Sequence, residues 1–274
     1  MTKQNHKIRY ILITGASRGI GFCITKHLSE YNYKVFAGVR NEEDFNTLKK
    51  LNNNVIPIYL DVTNEDSIIS AKELIQNNCD NLYALINNAG ISLIEPLEKV
   101  SIKDLKKQFE INSFAPIRII QEFSSLITEG KIINISSIAS DLELPFAAPY
   151  CASKKTLEIF TNMLKKESFN SNNKIITIKA GTINTNIWNK EATKFKDTPY
   201  FSVMQTVYKW MSKLSKNGQK PEKFAKYVFD ILEKKHNIDC YYYGLDSFII
   251  NNFRFLINFI IKILIFILKR GERK

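Results

Sequence analysis

Cysteine and histidine are scarce in this chain of 274 residues, with four and three copies. Cys23, Cys79, Cys151 and Cys240 stand far apart without a C-x-x-C pair, which excludes a zinc ribbon or dithiol motif. The pattern fits reduced thiols in a cytoplasmic compartment. His6, His27 and His236 are too scattered to share a metal ion and read as surface residues. No internal repeat and no linker rich in Pro, Gly or Ser divides the chain. Uninterrupted apolar runs stop short of the roughly 20 residues that span a bilayer. Residues 1–7 hold no apolar signal segment and lead directly into a first strand.

Basic residues are abundant: 39 Lys and Arg against 27 Asp and Glu give a formal charge of +12. They are spread along the chain without a nucleic-acid-binding motif, so no nucleic-acid partner is expected. A solvated surface explains them, in a sequence generally rich in Lys, Asn and Ile.

Strand-like runs at 8–13, 34–39, 54–60, 82–87, 131–136, 174–179 and 239–243 alternate with helical stretches. That βα alternation predicts an α/β fold, a doubly wound parallel sheet with helices on both faces. The length suits one such core. Pro116 falls inside an otherwise helical stretch and should kink it.

Tyr150 and Lys154 sit in Tyr-Cys-Ala-Ser-Lys, and Ser137 closes a strand reading Lys-Ile-Ile-Asn-Ile-Ser-Ser. If Tyr150 opens a helix, Lys154 lies one turn along the same face. An ammonium there favours the phenolate and lowers a phenol pKa that is ordinarily near ~10. Such a Tyr can exchange a proton with a substrate oxygen, to which Ser137 can donate a hydrogen bond. Together the three fit alcohol–carbonyl interconversion, although Tyr and Lys four apart also occur on solvated helix faces.

Upstream, a buried strand runs straight into Thr14-Gly15-Ala16-Ser17-Arg18-Gly19-Ile20-Gly21, and an amphipathic helix follows from about Ile20 to Tyr31. Strand, Gly turn and helix let backbone N–H groups cradle a pyrophosphate. The spacing is G-x-x-x-G-x-G rather than G-x-G-x-x-G.

With these motifs, the sequence resembles the short-chain dehydrogenases/reductases of the single-domain, Rossmann-like type. The ordered matches are Thr14 to Gly21, Asp61-Val62, Asn87-Asn88-Ala89-Gly90, Asn112, Ser137, Tyr150 with Lys154, and Ala180 to Thr185. They cover roughly residues 8 to 190. The resemblance implies that Gly15, Ser17, Arg18, Gly19, Ile20 and Gly21 hold the cofactor diphosphate. It implies that Asp61 contacts the adenine with Val62 beside it, and that Asn88, Ala89 and Gly90 wall the cleft. Asn112 would hold a water linking Lys154 to solvent, Lys154 would also hold the nicotinamide ribose, and Ile183 and Thr185 would bracket the carboxamide. Where the family usually has Pro-Gly this chain has Ala180-Gly181, which frees the backbone of the loop over the nicotinamide.

NADP is the expected cofactor. No carboxylate stands at 37–40, where an NAD site holds the ribose hydroxyls, and Arg40 with Arg18 could pair with a 2′-phosphate. Two solvated arginines are the plainer alternative.

The boundaries expected are a nucleotide-binding, catalytic domain at 1–246, with a substrate-covering insertion at about 186–220, and a tail at 247–274. The insertion carries Trp188, Phe195, Tyr200, Phe201, Val203, Met204, Val207, Trp210, Met211 and Leu214. They imply a bulky, hydrophobic carbonyl or alcohol, or simply a helix packed on the core. In the tail, Asn251, Asn258, Lys262 and Lys269 are spaced 7, 4 and 7 and would form one polar stripe on an otherwise apolar helix. Burying 255–268 gains roughly 5 kcal/mol, and Lys262 alone costs about 3, so a helix lying in the membrane surface with its stripe to water fits better than a span. Lys269 to Lys274 would meet anionic headgroups. A substrate lid or an oligomer contact are the other uses of such a helix. Parts of the tail loosely resemble steroid- and retinol-type members.

The expected activity is NADP(H)-dependent interconversion of a hydrophobic ketone or aldehyde and its alcohol, in a homodimer by analogy with the family. Reduction of 3-oxoacyl thioesters and NADP binding without turnover remain open at this point.

Overall fold

A computed structural model describes residues 8–168, 172–188, 192–234 and 238–271; for 188, 192–193 and 262–271 the backbone alone is described. Seven parallel strands form one sheet in the order β3-β2-β1-β4-β5-β6-β7. In chain order they are β1 (Arg9–Ile13), β2 (Tyr33–Val39), β3 (Val55–Tyr59), β4 (Ala84–Asn87), β5 (Lys131–Ser137), β6 (Lys174–Ala180) and β7 (Cys240–Tyr243). Between and after them lie α1 (Gly19–Ser29), α2 (Glu42–Lys49), α3 (Glu65–Gln76), α4 (Ile102–Phe109), α5 (Ala115–Phe123), α6 (Ala148–Glu167), α7 (Phe201–Lys216), α8 (Pro221–Glu233) and α9 (Leu245–Gly271). This is the doubly wound α/β architecture expected from the βα alternation.

The strands read as continuous apolar runs because both faces are buried. Ile11 and Ile13 of β1 enter one core with Ile24, Leu28, Phe224 and Val228 of α1 and α8. Leu12 points the other way, to Ile68 and Ile75 of α3 and Ile119 and Phe123 of α5. The period of two along each strand thus feeds two cores. Side-chain oxygens of Asn41, Asn64 and Ser101 accept the N–H three residues on and start α2, α3 and α4.

Pro116 does not break its helix. α4 runs on through a wider turn at Glu110–Phe114, closed by Ala115 N–H to Glu110 O five residues back, and α5 continues with proline near its start. Pro116 has no N–H to return to the Asn112 carbonyl four residues back.

His27 is not the solvated residue expected from sequence. It is half-buried on α1, edge-on to Tyr31 and Phe229 at 5.1 and 5.6 Å. His6 and His236 lie outside the described residues, as do Glu272, Arg273 and Lys274 and the side chains of Trp188, Lys262, Lys269 and Arg270.

Phe123, fully buried beneath the sheet, should be hard to replace. Phe123→Ala is expected to cost about 3–5 kcal/mol in urea unfolding, whereas truncating the exposed Ile69 should cost well under ~1.

Candidate active site

The strand order reverses between β1 and β4, and a doubly wound sheet opens a crevice at that point. Two glycine-bearing turns meet there. Gly15 adopts φ +64°, and a Cβ on it would lie 2.8 Å from the Ala89 Cα, so only glycine lets the loops touch. A Cβ on Gly21 would collide with the Gly15 carbonyl and the Asn88 amide. Asn88 Nδ2 donates to the carbonyls of Thr14 and Gly15 (3.0 and 2.9 Å), and Thr14 Oγ1 accepts from Asn88 and Ala89 N–H.

Arg18 precedes α1 without capping it, and no acidic residue sits in its first turn. With Ser17 and Ile20 beside it, this N-terminus keeps backbone donors for an anion, a fit for a dinucleotide diphosphate. Arg18 and Arg40 are both exposed. Asp61 Oδ1 accepts from Thr63 N–H and Oγ1 (2.9 and 2.7 Å), shaping the turn in which Val62 is buried.

On the far side of the crevice, α6 presents Tyr150, Lys154 and Glu158 at i, i+4 and i+8 on its buried face. Tyr150 and Lys154 are 5% and 6% exposed. The Ser137 hydroxyl, at the end of β5, hydrogen-bonds the Tyr150 hydroxyl and also accepts from Ala139 N–H at 3.2 Å. Burial pushes the Tyr150 phenol up to about 12, with Ser137 pulling the other way. The lowering expected from Lys154 is not what the fold produces. Lys154 Nζ donates to the Ile135 carbonyl at 2.8 Å, and burial lowers its own pKa to about 8 while Glu158 counteracts. Desolvation is the largest influence on both groups.

Asn112 is buried in the wide turn between α4 and α5, and both ends of its side chain are engaged. Oδ1 accepts from Ile91 N–H (2.9 Å), and Nδ2 donates to Ile91 O (2.9 Å) and Ser153 Oγ (3.1 Å). A Cβ on Gly90 would lie 3.4 Å from Asn112 Oδ1 and 3.6 Å from Lys154 Nζ, so the two groups flank that glycine. The turn therefore brings Asn112 to Lys154 across 42 residues of sequence.

In the loop after β6, Ile183 is buried in the core that α1 and α8 cover, and Thr185 reaches the Gly turn. Thr185 approaches Gly19, where a Cβ would stand 3.6 Å from its methyl group, and Ser215 Oγ bonds its backbone. The missing proline at 180 does not leave this loop loose. Ala180 continues β6 in register with Tyr243, Gly181 N–H donates to Tyr243 O at 2.8 Å, and Asp246 accepts from Thr182 N–H at 2.6 Å.

Around Tyr150 lies a third apolar cluster with Ile94, Ala147, Phe195, Met204, Tyr208 and Met211. The insertion is thus packed over Tyr150, except that Trp210 and Leu214 face outward. Polar ties fasten it to the loop after β4: Ser92 Oγ to Ile187 O (2.7 Å), Lys194 to Glu95 (2.5 Å), Tyr200 to Glu98 (2.5 Å) and Tyr208 to Ile94 O (2.6 Å).

Sequence reasoning missed Glu158. Its Oε1 accepts from Ser136 and Ser140, the hydroxyls on either side of Ser137, at 2.7 and 2.5 Å. Its Oε2 meets buried Lys179 at 3.0 Å, which also pairs with Asp141, while Lys155 bridges both acids. This cluster fixes the turn that presents Ser137. The repeated four-residue step from Tyr150 and Lys154 to Glu158 was the available signal; Asp141 and Lys179 had none.

This crevice, with its phosphate-cradling turn and buried Ser–Tyr–Lys set, defines a nucleotide-binding oxidoreductase of Rossmann-like fold. The family model described as short chain dehydrogenase matches residues 9–196, and the chain belongs to that family, whose members use a nicotinamide cofactor and act on CH–OH groups. It is 30% identical over 231 residues to an NADPH-dependent 3-dehydrocapnine reductase of Ornithobacterium rhinotracheale, covering 80% of this chain and 82% of that one. Among solved structures, a short chain dehydrogenase from Burkholderia cenocepacia in complex with NADP superposes with TM-score 0.71 at 24% identity, covering 90% of this chain and 93% of that one. One from Burkholderia phymatum in complex with NAD does so with 0.77 at 20%, covering 90% and 92%.

The buried charge cluster makes a stability prediction. Lys179→Met removes the buried cation shared by two carboxylates, leaving them the more exposed Lys155, and should cost about 3–5 kcal/mol in chemical denaturation.

Proposed function

We propose that the chain is an NADPH-dependent reductase of hydrophobic ketones or aldehydes, working reversibly on the matching alcohols. The observation that carries this reading is the Ser137–Tyr150 hydroxyl pair at the floor of an apolar cluster beside the phosphate-cradling turn. The turn from Gly15 to Gly21 and Lys154 would hold a reduced nicotinamide cofactor, which would supply the hydride for the carbonyl carbon. Tyr150 gives its hydroxyl proton to the carbonyl oxygen, and Ser137 donates a hydrogen bond to the same oxygen. Lys154 holds the ribose and returns a proton toward Tyr150. The Asn112 main chain, deprived of a helical donor by Pro116, offers a carbonyl for the relay water.

The pair Arg18 and Arg40 supports NADP over NAD, since guanidinium groups match a 2′-phosphate and no carboxylate stands at 37–40 to hold a bare ribose. The name of the Ornithobacterium relative supports the same choice. The apolar wall of Phe195, Met204, Tyr208 and Met211 supports a lipophilic substrate. Exposed Phe114, Ile159 and Met163 on and beside α5 and α6 support a homodimer through those helices. Sedimentation velocity should then report twice the chain mass.

Three measurements test the reading. Tyr150→Phe should leave NADPH affinity unchanged and lower turnover by about 10²–10⁴-fold; an active variant assigns the proton donor elsewhere. Arg40→Glu should shift the kcat/KM ratio for NADPH over NADH by about 10–100-fold toward NADH. The pH profile follows from Lys154: its ammonium is present below its pKa of about 8 and lost above it, so kcat/KM for reduction should fall as pH rises through about 8. Glu158→Gln removes the anion that holds that pKa up, so the same limb should move to lower pH.

A further inference from the structure

α9 carries its amphipathicity inside out. Its polar side chains Asp246, Ser247 and Asn258 turn toward the body of the protein. Asp246 accepts from Thr182 N–H, and Ser247 donates to Gly244 O at 2.7 Å. Asn258 accepts from Glu143 N–H at 3.1 Å and donates to Asp141 O at 3.4 Å. Of the polar stripe expected to face water, Asn251 is exposed and Asn258 is half-buried against the turn after β5, while the side chains of Lys262 and Lys269 lie outside the described residues. A non-helical Phe253 bends the helix between Asn251 and Asn258.

Most of the exposed side chains are apolar, although Asn251, Asn252 and Arg254 stand among them. Phe248, Leu256, Phe259 and Phe255 are 62%, 56%, 60% and 80% exposed, with Ile249 and Ile260 beside them. Exposed apolar side chains in this number, Phe248 and Ile249 before the bend and Phe255, Leu256, Phe259 and Ile260 after it, need a covering. We propose that this face of α9 docks onto an anionic lipid surface, lying in the interface and bringing the active-site entrance to lipid-dissolved substrate.

Charge selects the occupant. Arg254 stands over the ring of Phe255 at 5.1 Å, and the sequence beyond it adds Lys262, Lys269, Arg270, Arg273 and Lys274 against one acid, Glu272. A second copy would oppose these charges with like ones, whereas anionic headgroups complement them. Among the described residues no helix is long and apolar enough to cross a membrane. Placement fits as well. Through Asp246 and Asn258 the helix grips both loops that border the crevice, those carrying Thr182 to Thr185 and Ile138 to Glu143.

Vesicle flotation tests this without turnover, so its outcome is separate from that of the reductase reading. The full chain should float with phosphatidylcholine vesicles containing phosphatidylglycerol and remain below with phosphatidylcholine alone. The double variant Phe255→Glu, Phe259→Glu should lose flotation by about tenfold or more, with its melting temperature and NADPH affinity retained. A wild-type chain that stays below both vesicles overturns the proposal, and so does a variant that floats as well as wild type. A variant whose sedimenting mass falls to the monomer makes this face a self-contact and equally overturns it.

Discussion

Three ionisable side chains one helical turn apart, Tyr150, Lys154 and Glu158, are carried into the interior on the same face of α6. Burying such groups is costly unless each finds a partner. Glu158 finds Lys179 and two serine hydroxyls, Lys154 the Ile135 carbonyl, and Tyr150 the Ser137 hydroxyl. Satisfying them fixes the position of α6 on β5 and the shape of the turn after β5. The low-dielectric surroundings that make this face expensive also raise the Tyr150 pKa and lower that of Lys154.

Opposite that face, the structure uses glycine for contact rather than for looseness. Gly15 and Gly21 bring backbone against backbone, so that the turn after β1 and the loop after β4 share hydrogen bonds through Thr14 and Asn88. The crevice is thus bordered by charge-bearing helix on one side and bare backbone on the other. Chemistry and nucleotide recognition are supplied by different parts of one sheet edge, and the loop through Ile183 and Thr185 closes between them.

Much of this was legible in the chain itself. Apolar runs of five to seven residues announced strands buried on both faces, and the Gly turn announced its position after β1. The spacing of Tyr150 and Lys154 announced a shared helical face. Residues whose partners are remote were not legible. Asp141, Lys179 and Asp246 carry no local pattern, because their meaning lies in contacts spanning tens of residues. Local periodicity placed Asn258 on a face to water, whereas it bonds Glu143 N–H: period gives which residues share a face, not which way that face turns. The fate of Pro116 was likewise decided by a neighbouring wide turn.

Sequence alone determined the order of strands and helices, the phosphate-cradling turn and the candidate proton donor, since each rests on interactions within a few residues. Tertiary structure decided which side of α9 meets the protein, how the loop at Gly181 is held, and what environment Tyr150 and Lys154 inhabit. Those depend on desolvation and on partners brought from distant segments, and neither quantity exists until the chain has folded.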